Sequence, residues 1–123
     1  MSLGREQLVA VIATALGRAR VPLSDEKEAQ AAISQILSDN GVAHEREHRL
    51  GPHDIPDFFC TPDLVIEAKM KAARPAAVYK QLKRYAGYDK VGALILVTNR
   101  AMGLPAAICG KPAYFISLGR AWL

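Results

Sequence analysis

The tightest constraint on the fold is the stretch GALILVTN at residues 92–99, in which Ala93 to Val97 are apolar without a break. Its length suits a strand better than a helix, and Gly92 and Asn99 punctuate both ends. A strand with no polar alternation is predicted to be buried on both faces. Burial on both faces requires covering layers above and below the sheet, which points to an α/β architecture.

The rest of the chain supplies those layers. Residues 5–20 carry Leu8, Val9, Val11, Ile12 and Leu16 at near-helical spacing, and Val21-Pro22 ends the pattern. A second helix is predicted from SDEKEAQAAISQILSDNG, capped by Ser24 or Asp25 and closed by Asn40-Gly41. Ala29, Ala32, Ile33, Ile36 and Leu37 form its apolar stripe. VAHEREHRLG reads as an edge strand, IPDFFC as a second strand and LVIEAKMK as a third, with turn composition at Thr61-Pro62-Asp63. RPAAVYKQLKRYAGYD reads as a third helix packed through Val78, Leu82 and Tyr85. LPAAICGKP fits a short helical turn or a loop, AYFISL a last strand, and GRAWL a tail in which Trp122 folds back. The order is helix, helix, three-strand meander, helix, strand, strand, and so a mixed β-sheet flanked by helices.

At 123 residues the chain fits one domain, 1–123, in which 1–23 forms an N-terminal helical extension. A hydrophobic content of 50% provides for an ordinary core. The formal charge of +4 suits a polyanionic partner without requiring one. Cys60 and Cys109 form no Cys-x-x-Cys pair and are expected to be buried, reduced thiols of a cytoplasmic protein. The apolar run LVAVIATAL falls short of the ~20 residues that span a bilayer, so no membrane association is expected.

The chemistry concentrates in DIPDFFCTPDLVIEAKMK, residues 54–71, where Pro-Asp occurs twice and Glu-Ala-Lys follows. A hairpin centred on Pro62 places Asp57 opposite Glu67, with their Cβ atoms roughly 5 Å apart. Lys69, two residues beyond Glu67, shares that face, while Phe58, Cys60, Leu64, Ile66 and Ala68 occupy the other. Asp63 belongs to the turn, roughly 13 Å from Glu67 along the strand, too far to share an ion with it. Two adjacent carboxylates repel unless a cation lies between them. Hard oxygen ligands suit Mg²⁺, with Mn²⁺ able to substitute. The Ala68 carbonyl is a candidate third metal ligand, and a neighbouring lysine can orient or deprotonate a water, or stabilise a phosphate. The alternative is a solvated face with a cross-strand ion pair; the strongly apolar flanks argue against it, because a polar triad there costs stability.

Pro56-Asp57, followed by Glu67-Ala68-Lys69, resembles the PD-(D/E)XK nuclease superfamily, and IPDFF with VIEAK looks most like its resolvase-like and virus-type branches. The likeness covers residues 24–98. It implies a restriction-endonuclease-like core and a Mg²⁺-dependent deoxyribonuclease, with selectivity for DNA structure as an option, in which Asp57 and Glu67 bind metal and Lys69 acts on the water. It also implies an acid from the preceding helix, Glu28 or its competitor Glu26, and substrate contacts from Gln81 and Tyr85. Lys71, Lys80, Lys83 and Arg84 are candidate backbone-phosphate contacts. A non-catalytic nucleic-acid-binding module and a structural or interaction protein are the rival readings. The small size leaves room for a homodimer or a partner protein. His44, His48 and His53 with Cys60 raise zinc as a minor alternative, although two histidines four apart on a strand do not share a helical face.

Overall fold

The computed structural model describes residues 3–22, 25–69, 73–99 and 102–118; Ser24, Lys71 and the tail containing Trp122 lie outside them. The apolar run forms the strand Ala93–Thr98 and is buried throughout. In chain order the elements are α1 (Arg5–Arg18), α2 (Glu26–Asp39), β1 (His44–Arg46), β2 (Phe58–Cys60), β3 (Leu64–Lys69), α3 (Pro75–Ala86), β4 (Ala93–Thr98), β5 (Ala107–Ile108) and β6 (Lys111–Ser117). The strands form one six-stranded mixed sheet in the order β1-β2-β3-β4-β6-β5. The β1-β2-β3 meander is antiparallel, whereas β4 runs parallel to both β3 and β6.

β4 explains why its sequence has no polar alternation. Ala93, Ile95 and Val97 join the core on the side of α1 and α2; Leu94 and Leu96 join the core under α3. The first helix is more than an extension. Leu8, Val9, Ile12 and Leu16 are buried in the same cluster as Ile33, Leu37, Phe58 and Ile66, so α1 is part of one covering layer. Asp25 caps α2 by accepting from the Lys27 N–H at 2.9 Å, and Pro75 opens α3.

The β2-β3 register pairs Phe58 with Ile66 and Cys60 with Leu64, as a turn centred on Pro62 requires. Two expectations need correction. LPAAICGKP contains β5, which pairs Ile108 with Lys111 across Cys109-Gly110. Both turn residues have positive φ, 52° and 73°, the geometry of a tight hairpin, but Cys at the first position is not a usual hairpin signal. That turn also leaves Cys109 exposed, whereas Cys60 is buried and its thiol is pushed up to about 12 by burial.

Asp63 ties the turn to two other elements. Its carboxylate accepts from Arg5 Nη2 at 2.6 Å, and its carbonyl accepts from the Gly92 N–H at 2.8 Å. A Cβ on Gly92 would lie 1.9 Å from Asp63 Oδ2, so glycine is what allows this approach. Asp63→Ala should cost roughly 0.5–1 kcal/mol, a partly exposed ion pair's worth, and lower the melting temperature by a few degrees. Calorimetric melting checks this. Any DNA-cleaving activity should survive the substitution.

Candidate active site

Strand geometry assembles the triad. β3 is buried from Leu64 to Ala68, and its alternation sends Glu67 and Lys69 to the α3 side while Ile66 and Ala68 face α1 and α2. Asp57 stands just before β2. Its N–H donates to Glu67 Oε1 at 3.2 Å, and its Oδ2 accepts from the Ala68 N–H at 2.8 Å. Lys69 Nζ lies 2.9 Å from Glu67 Oε2. The three side chains are therefore brought together. The N–H and C=O of one strand residue point to the same edge, so the Ala68 carbonyl opens on the Asp57 side.

The electrostatics are unfavourable for two bare anions. Burial, and next the charge of Glu67, pushes the Asp57 carboxyl up to about 7; the Ala68 N–H and Lys69 oppose this, and Glu26 adds to it. Burial also raises Glu67, against the pull of Lys69, the Asp57 N–H and Tyr85. One lysine offsets one of the two carboxylates, leaving the buried cluster one negative charge over when both are ionised.

Two helices complete the surroundings. On α3, Tyr85 is 1% exposed; its hydroxyl donates to Glu67 Oε1 at 3.4 Å and accepts from Gln81 Nε2 at 2.9 Å. Burial first, then the two carboxylates, raises the Tyr85 phenol. Its burial turns it to Glu67, whereas the expected role was substrate contact. On α2, Gln30 Nε2 donates to Asp57 Oδ1 at 3.1 Å. The buried stripe is Ala29, Ile33 and Leu37, which leaves Glu28 exposed on the other side of the helix. Glu26, one turn before Gln30, is the acid whose charge reaches Asp57. The expected choice of Glu28 over Glu26 is thus reversed by the helix's rotation.

Arg84 pairs through Nε with Asp54 Oδ1 at 2.9 Å, and Tyr88 donates to Asp54 Oδ2 at 2.7 Å. Lys80 and Lys83 are exposed on α3. Lys71 lies outside the described residues. Neither Gln30 nor Asp54 was singled out from sequence. The signal for Gln30 was its place three residues before Ile33, and for Asp54 its place three residues before Asp57.

His44 and His48 are engaged apart from one another, and His53 is exposed. His44 Nδ1 donates to the Val42 carbonyl and its Nε2 accepts from Ser34, at 2.9 and 2.7 Å. His48 stacks on Phe59 and bridges Glu45 and Lys90. Among the described residues no group of three or more His, Cys, Asp and Glu side chains is placed to hold one metal ion. Also among them, no helix is long and apolar enough to cross a membrane. Comparison with family models, with curated proteins and with solved structures finds no match to this chain.

Proposed function

We propose that the protein is a metal-dependent nuclease that hydrolyses phosphodiester bonds in DNA, built on a restriction-endonuclease-like core of the PD-(D/E)XK type. The observation that carries the reading is the meeting of a half-buried Asp57 with a buried Glu67 at the end of a hairpin whose strands are otherwise apolar, with Lys69 paired to Glu67. A surface ion pair would need one acid for one lysine; here Asp57 is left over.

A divalent cation fits this donor set. The oxygens are hard, the cluster carries an excess negative charge, and the Ala68 carbonyl opens on the same edge. Asp57, Glu67 and the Ala68 carbonyl would hold Mg²⁺ or Mn²⁺. When bound, such an ion supplies Lewis-acid stabilisation of phosphate charge and lowers the pKa of a water. The chain's own groups do the rest. The Ala68 N–H and Gln30 orient the Asp57 carboxylate, and Tyr85 with Gln81 fixes Glu67. Lys69 presents its ammonium beside Glu67, where it orients the attacking water or stabilises the phosphate. Lys80 and Lys83, with the exposed part of Arg84, offer backbone-phosphate contacts along α3.

The test is a Mg²⁺/Mn²⁺ cleavage assay over labelled linear, nicked, flapped and branched DNAs, with Lys69→Ala as control. Metal-dependent cleavage by the wild type alone is the expected result. Salt-sensitive DNA binding without cleavage would replace the reading with a binding module. Neither DNA binding nor heat on Mn²⁺ titration would leave a structural or interaction protein.

A further inference from the structure

On its β3 side Asp57 is not carried by the backbone ladder; on its β1 side the Glu47 N–H donates to its carbonyl. β2 begins at Phe58, and the Asp57 N–H is satisfied by the side chain of Glu67, not by the main chain of β3. The loop that precedes Asp57 has a further hold of its own. Asp54, three residues earlier and 8% exposed, is the buried anchor of that loop. Its two carboxylate oxygens take Arg84 Nε at 2.9 Å and Tyr88 Oη at 2.7 Å. Its carbonyl accepts from the Leu50 N–H at 2.8 Å, and Gly51 bridges to it. A Cβ on Gly51 would lie 2.2 Å from Tyr88 Oη, so the loop lies directly against that hydroxyl. At the loop's other end the Asp57 carbonyl accepts from the Glu47 N–H at 2.9 Å.

Tyr85, Arg84 and Tyr88 belong to α3 and the turn that follows it. The segment that fixes Glu67 through Tyr85 therefore also fixes the approach to Asp57 through Asp54. Half of the Arg84 side chain is exposed, so the ion pair by itself is weak. The hold comes from a nearly buried carboxylate that receives two donors at once.

We propose that Asp54 is a positioning residue for Asp57: by fastening residues 51–56 to α3 it keeps the Asp57 carboxylate on the Ala68 N–H and beside Glu67. Its role in chemistry rests on the nuclease reading; its hold on Asp57 does not.

The experiment is amide hydrogen exchange by NMR on the metal-free full chain, in wild type, Asp54→Asn and Tyr88→Phe. The Ala68 N–H reports directly on Asp57 Oδ2. Asp54→Asn should speed Ala68 exchange about tenfold, the loss of roughly one hydrogen bond, while Ile66 and Ile95 keep their protection. Tyr88→Phe, which retains the charge pair, should give a smaller change in the same direction. Unchanged exchange at Ala68 would overturn the proposal. So would a uniform rise across the sheet, which would mean a general structural role. In a second arm, calorimetric Mn²⁺ affinity should fall about tenfold in Asp54→Asn. A wild type that takes up no Mn²⁺ would sink the nuclease reading, and Ala68 exchange would still decide whether Asp54 holds Asp57.

Discussion

Asp57→Ala and Lys69→Ala should each lower Mg²⁺-dependent DNA cleavage on the order of 10³-fold, with the fold intact. Asp57 accepts the Ala68 N–H at 2.8 Å and donates its own N–H to Glu67 at 3.2 Å. Removing its carboxylate takes away one of the two acidic ligands of the proposed metal site and leaves Glu67 with Lys69 alone. Removing the Lys69 ammonium leaves both carboxylates but takes the cation from the point where the proposed reaction orients water and phosphate. Glu28→Ala should cleave at the wild-type rate, because Glu28 faces solvent across α2 from the buried stripe. Initial rates on a labelled duplex or branched DNA, with circular dichroism to verify folding, provide the measurement. An Asp57→Ala protein as active as wild type would remove the basis for the site.

The same carboxylate pair should make the metal-free protein less stable as pH rises from about 4 to about 7. Asp57 titrates near 3.8 when unfolded and about 7 when folded, so in this window the native state holds more protons than the unfolded state. The stability associated with the protonated carboxyl is fully present below the unfolded value and is lost as pH climbs through the folded one. Glu67 is raised in the same direction and adds to the slope. Asp57→Asn removes this dependence at one position. At pH 8 it should exceed metal-free wild type by on the order of 1–3 kcal/mol in urea unfolding. Mg²⁺ should then stabilise the wild type and do little for the variant. Equal stability of the two proteins at every pH between 4 and 8 would contradict this account of the pair.

The parts of the fold readable in the sequence were those governed by local pattern. The unbroken apolar run of β4, the stripes of the helices and the hairpin centred on Pro62 each follow from periodicity and turn chemistry. The face shared by Glu67 and Lys69 follows from the alternation of β3, whereas the Asp57 carboxylate, just before β2, meets the Ala68 N–H and Gln30 of α2. What could not be read depends on how elements are rotated against one another. Glu26 and Glu28 are near neighbours in sequence, and only the docking of α2 decides which one brings its charge near Asp57. Arg84 has the composition of a phosphate contact, but a buried acid in a loop thirty residues earlier takes its Nε. Tyr85 was legible as a packing residue, while its hydroxyl's partner Glu67 required the third dimension. β5 was missed because Cys109 occupies a left-handed turn position where Asn or Asp is the usual signal.

The two thiols differ in a way that is useful at the bench. The thiolate is the species that reacts with maleimides, and Cys60 is both buried and held as a thiol far above neutral pH. Cys109 stands exposed on the β5-β6 turn, at the opposite edge of the sheet from β1 and β2. An unaltered wild-type chain therefore offers one site for a fluorophore, three strands or roughly 14 Å from β3 across the sheet. A dye placed there can test the proposed DNA binding by anisotropy without touching the carboxylates, and without a cysteine being engineered in or out.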